Sequence, residues 1–99
     1  GLFCYVEYIR KDRKFVMYQK FDSMYPRRIT GVFSIEKDKY GKYILSGKYD
    51  YGMGEWNNKY FVTELLESSM ILTADSENAE ISKYIRCNEI PEDIIESAK

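Results

Sequence analysis

Between residues 28 and 72, apolar and polar positions alternate with a period of two, and turn residues break the alternation at short intervals. Ile29, Gly31, Phe33 and Ile35 fall on one side of a strand, with Thr30, Ser34 and Glu36 on the other. Lys39-Tyr40-Gly41-Lys42 turns the chain, and residues 43–51 then set Tyr43, Leu45, Gly47, Tyr49 and Tyr51 against Ser46, Lys48 and Asp50. Gly52-Met53-Gly54-Glu55 turns it back. Two more strands follow near residues 59–65 and 70–74, separated by Glu67-Ser68-Ser69. Short β-rich runs at this even spacing predict an antiparallel meander that curls into a barrel or sandwich.

The same period reaches towards both ends. Residues 2–9 place Leu2, Cys4, Val6 and Tyr8 opposite Phe3, Tyr5, Glu7 and Ile9. A polar turn over 10–14 hands over to a second strand, 15–21, whose Phe15, Met17 and Phe21 share a face. Asp22-Ser23-Met24-Tyr25-Pro26 ends it, because proline supplies no donor to a ladder. After a polar connection at 75–78, a seventh strand spans 80–87. Ile90-Pro91-Glu92-Asp93 then sets a proline and two acids where the first turn of a helix wants them, predicting a short helical tail over 91–99. Ile90 and Ile94, four apart, would pin it across one end. The fold expected is mostly β: a meander of about seven to eight strands forming a small barrel, with a short C-terminal helix.

Phe33, Ile35, Leu45, Val62 and Leu72 are the expected core, with Phe15, Met17, Tyr49 and Tyr51 also lining the interior. Gly31 and Gly47 lie mid-strand, where glycine marks a bend, a bulge or the close approach of another group. At 99 residues the chain holds one core, so residues 1–99 read as one domain, with Gly1 the remnant of a removed tag.

Ten tyrosines, five phenylalanines and one tryptophan are the unusual part of the composition. They suit pleated, half-buried surfaces, and they equally suit an aromatic groove for sugars, lipids or bases. Net charge is −1 with the two signs interspersed, which carries no polyanion footprint and argues against nucleic acid. Arg10-Lys11-Asp12-Arg13-Lys14 is the one basic cluster, read as a solvated hairpin tip or an anion site. No apolar run approaches the roughly 20 residues of a membrane helix. Histidine is absent, which excludes a Ser–His–Asp triad, a Cys–His pair and a His-ligated zinc, and two cysteines alone make no structural metal site.

Several runs together carry a resemblance. They are Lys14-Phe15-Val16-Met17-Tyr18-Gln19-Lys20, Thr30-Gly31-Val32-Phe33-Ser34-Ile35, Leu45-Ser46-Gly47-Lys48-Tyr49, Tyr60-Phe61-Val62-Thr63-Glu64-Leu65, Met70-Ile71-Leu72-Thr73 and Tyr84-Ile85-Arg86, with Trp56 and Ile90-Pro91. In this order they resemble the lipocalin-like domains of predicted lipoproteins and secreted proteins of Bacteroidetes, over roughly residues 5–94. The resemblance implies a small lipocalin-type β-barrel of the cell envelope, periplasmic, outer-membrane-anchored or secreted, with no catalytic residue and no cofactor. Cys4 follows Leu2-Phe3 rather than the small residues of a lipidation signal, so an anchor would lie upstream. In lipocalins a Gly-x-Trp precedes the first strand and an arginine of the last strand packs over the tryptophan. Gly54-Glu55-Trp56 has that spacing mid-chain, and Arg86 matches the arginine.

A meander that closes would bring its first and last strands together, and each carries a cysteine. Cys4 and Cys87 are therefore a candidate disulfide in an oxidising compartment, the alternative being two separately buried thiols. The leading functional expectation is a non-catalytic barrel binding a small apolar or carbohydrate ligand at its interior or rim, through Tyr25, Tyr49, Tyr51, Met53, Trp56 and Arg86. The alternative is a structural or protein-interaction module of an envelope assembly, its barrel filled by side chains and its open edges able to pair in a homodimer. The carboxylate pairs Glu64 with Glu67 and Asp50 with Glu55 read as surface charges, so the protein is not expected to be an enzyme.

Overall fold

The alternation is realised as seven strands and one helix in a computed structural model that describes residues 3–21 and 25–98. The strands are β1 Phe3–Ile9, β2 Lys14–Lys20, β3 Arg27–Lys37, β4 Tyr43–Tyr49, β5 Tyr60–Leu65, β6 Ser69–Ala74 and β7 Ile81–Ile85. Each pairs antiparallel with the next, so the sheet order is the chain order, and the meander curls into a half-barrel. Gly1, Leu2, the segment 22–24 of the predicted break and Lys99 lie outside the described residues.

The sheet stays open, because β1 and β7 share no ladder. Closure requires strand tilt and register stagger to agree around the whole circuit. Here the ladder between β4 and β5 narrows to Tyr43–Val62, Ile44–Phe61 and Leu45–Tyr60, and β7 is five residues long where eight were expected from the sequence.

Phe15 is fully buried and packs with Phe33, Leu45 and Leu72, all on the inner face. Met17, Ile29, Tyr49 and Val62 lean against this cluster, half-buried. Three expectations for this face fail at strand ends. Ile35 is 48 % exposed, because its end of β3 reaches past the core to an open mouth. Phe21 is exposed just after β2 stops. Tyr51 lies beyond β4 in a left-handed conformation, φ 61°, and is 93 % exposed. On the outer face, Tyr18 is buried, which the alternation does not foretell.

Both mid-strand glycines accommodate a close approach. A Cβ at Gly31 would lie 2.2 Å from the Lys48 carbonyl oxygen and 2.5 Å from the Phe15 ring. One at Gly47 would lie 2.2 Å from the Trp56 indole. A register shift between Val62 and Glu64 places a bulge at Thr63, so Val62 opposes Leu72 and Leu65 opposes Met70. Val62 and Leu65, three apart, therefore both face inward. The Thr63 hydroxyl donates to the Ile71 carbonyl (3.3 Å) or shares a bond with Thr73 Oγ1 (3.2 Å).

The tail forms the predicted helix, α1 Glu92–Ser97, with Pro91 at its N-cap and Glu92 and Asp93 in its first turn. Acidic groups there offset the positive end of the helix dipole. Ile90 and Ile94 are half-buried, and no helix residue is fully buried.

Candidate binding site

The inner face holds two concavities on either side of the Phe15 cluster. The larger, about 620 Å³, opens under the β1–β2 turn. Its wall is Phe33, Leu45, Val62 and Met70, with Ile35, Tyr43 and the 68 % exposed Leu65 at the mouth and Arg10 and Arg13 from the turn. Its size falls within the ~300–1,000 Å³ usual for small-molecule pockets, which are mostly apolar with a few placed polar groups. The turn is held down by a backbone bond, in which Phe33 N donates to the Arg13 carbonyl at 2.8 Å, and Arg13 takes a left-handed φ of 55°. Tyr8 stands between the ends, lining both concavities, its ring edge-on to Phe33 at 5.1 Å.

The smaller concavity, about 320 Å³, is more polar and lies at the other end. Trp56, Tyr49, Tyr60 and Tyr84 surround it, with Asn57, Asn58 and Glu80 among its polar groups. Trp56 is placed by a short extension of the β4 hairpin: Tyr49 N donates to the Gly54 carbonyl (2.8 Å), and Trp56 N to the Gly47 carbonyl (2.9 Å). The indole lies over Gly47 and meets Phe15 (5.3 Å) and Tyr60 (6.1 Å) edge-on. Its Nε1 is buried with no hydrogen-bond partner among the described residues. Such an unmade bond costs about 1–3 kcal/mol.

Side chains cross the gap that the backbone leaves open between β1 and β7. Burial, reinforced by the neighbouring Cys4, pushes the Tyr84 hydroxyl up to about 12. Burial also raises Tyr8, with Tyr84, Cys4 and Tyr60 adding to it, and raises Cys4, which Tyr84 partly offsets. Tyr49 is raised by burial and by Tyr60. In all four groups the surroundings favour the protonated form, which can donate and accept hydrogen bonds.

Of the six residues expected to bind ligand, Tyr49 and Trp56 are brought together at the polar end. Tyr25, Tyr51 and Met53 are 88 %, 93 % and 58 % exposed and line neither concavity, because they sit on connections that project from the sheet. Arg86, one residue beyond β7, is exposed and makes no cation–π contact with Trp56, which packs on Gly47 and against Phe15 and Tyr60. Cys4 and Cys87 are free thiols, the second exposed past the end of β7 where the sheet has not closed. Asp50 accepts a bond from Thr30 Oγ1 at 2.7 Å, while Glu55, Glu64 and Glu67 are exposed.

Among the described residues, no three His, Cys, Asp or Glu side chains gather as a metal set, and no helix is long and apolar enough to cross a membrane. The apolar mouth with its two arginines is what the alternation did not single out; the basic run at 10–14 was the signal for it. Set beside known proteins, the chain matches no family model, no curated protein and no solved structure.

Proposed function

We propose that this protein is a non-catalytic binding module that shelters a small, largely apolar ligand in the concavity under the β1–β2 turn. The observation that carries this reading is the 620 Å³ concavity walled by Phe33, Leu45, Val62 and Met70, with Leu65 exposed at its mouth and the core beneath it. Apolar surface left concave and accessible gains free energy when a guest removes it from water, at about 25 cal/mol per Å². Placement in the cell envelope rests on the lipocalin-like resemblance alone.

A second reading is an interaction module, favoured by the unpaired edges β1 and β7 and by Ile81 and Ile85 exposed on β7. Open edges pair readily with another chain. Titration with the neutral dye N-phenyl-1-naphthylamine separates the two. Saturable fluorescence enhancement, weakened by Leu65→Glu and unchanged by Tyr51→Ala, is the expected outcome for the binding module. No saturable enhancement, together with a mass that rises with protein concentration, would instead favour the interaction module.

A further inference from the structure

The apolar concavity carries more charge than an uncharged guest needs. Arg10 and Arg13 both line it, and no aspartate or glutamate does, although the chain as a whole has a net charge of −1. Both side chains are exposed, and two like charges at one apolar mouth repel each other. An anion placed between them relieves that repulsion. Guanidinium groups suit this role because their planar forks bind carboxylate, sulfate or phosphate oxygens through paired, charge-assisted bonds.

The turn also fixes where that anion would sit. The bond from Phe33 N to the Arg13 carbonyl, 2.8 Å, ties the arginine-bearing turn to the strand whose Phe33 side chain forms part of the wall. The charged rim and the apolar wall are therefore anchored to the same residue. The remaining polar side chains of the lining are Tyr8, whose hydroxyl neighbours Tyr84, Cys4 and Tyr60, and Tyr43, whose phenol can donate a bond to an anion.

We propose that this concavity takes a single-chain amphiphile with an anionic head, its chain against Phe33, Val62, Leu65 and Met70 and its head between Arg10 and Arg13. The proposal deepens the binding-module reading and rests on it. The probes are dodecanoate and dodecanol, titrated calorimetrically below the concentration at which they aggregate. Dodecanoate is expected to bind at least about tenfold more tightly, a difference of about 1.4 kcal/mol, and added salt should narrow the gap.

In the Arg10→Gln/Arg13→Gln double variant the preference should vanish through loss of dodecanoate affinity alone. In Arg10→Glu/Arg13→Glu, dodecyltrimethylammonium should become the better ligand, a gain that misfolding cannot mimic. Equal binding of dodecanoate and dodecanol would overturn the anionic head and leave the binding module standing. No saturable binding of either would overturn both. Flotation with phosphatidylglycerol vesicles without binding of dodecanoate would overturn the single-chain ligand in favour of a membrane surface.

Discussion

Under the β1–β2 turn the concave face is largely apolar, with two guanidiniums at its mouth, whereas at the opposite end Trp56 and four tyrosines share the lining with two asparagines. The same strands build both. β4 sends Tyr43 and Leu45 to the first end and Tyr49 to the second; β6 sends Met70 to the first and Leu72 to the second. A period of two decides which residues point inward. Which end each one reaches is decided by register and by where the turns fall. The two ends therefore differ in chemistry without any difference in pattern, and Tyr8, which lines both, stands between them.

Removing the Phe15 ring, the centre of the core beneath both ends, is the largest perturbation available. Phe15 is fully buried and touches both Tyr49 and Trp56, at 6.1 and 5.3 Å between ring centroids. Phe15→Ala should cost about 3–5 kcal/mol in a denaturant titration, from lost transfer energy and the cavity left behind. A loss below about 1 kcal/mol, the scale of a surface substitution, would show that the two ends do not rest on a core centred at this side chain.

The polar end can be disturbed alone. A Cβ at Gly47 would fall 2.2 Å from Trp56 Cε2 and 2.6 Å from Nε1, so the indole must move. It cannot move freely, because Phe15 and Tyr60 hold its other edges. Gly47→Ala should therefore cost about 1–3 kcal/mol, the usual range for overpacking. Trp56 is the single tryptophan, so its emission should shift to the red as the ring is displaced. Dye binding at the apolar end should persist. Unchanged emission would break the claim that the indole rests on that glycine.

These two residues also mark what could be read from the chain. The strand order, the turns, the tail helix and the inward face of Phe15, Phe33, Leu45 and Leu72 were legible, because alternation and turn chemistry are local. Gly47 was legible as a site of close approach, but not as the seat of Trp56, which reaches it from nine residues further on. Leu65 was hidden by the bulge at Thr63, which turns an outward position inward. The openness of the sheet was hidden too, since closure depends on tilt and stagger summed over every strand rather than on any one of them. The ligand residues expected on the connections line neither concavity. Tyr25, Tyr51 and Met53 are aromatic or apolar, and composition alone cannot tell a rim from a projecting turn.

The gentlest test uses pH and concerns the polar end, where side chains alone link β1 to β7. Tyr84 is raised from the ordinary 10.0 to about 12, chiefly by burial, and Tyr8 is raised in the same direction. Cys4 is raised from 9.0 for the same cause. In each case the folded state holds a proton more tightly than the unfolded chain, so between the two values the unfolded chain binds fewer protons and stability falls as pH rises. Their contribution is complete below the unfolded values and is lost progressively from about pH 9 for Cys4 and from about pH 10 for the tyrosines, until pH passes the folded values. Absorbance at the tyrosinate band should show a late fraction, from Tyr8 and Tyr84, that appears only with unfolding. Tyr84→Phe removes one buried hydroxyl and its proton, so the alkaline decline in denaturant midpoint should become shallower while neutral stability changes little. An equally steep decline in that variant would mean that the β1–β7 gap is not where alkali acts, and that the two ends meet high pH alike.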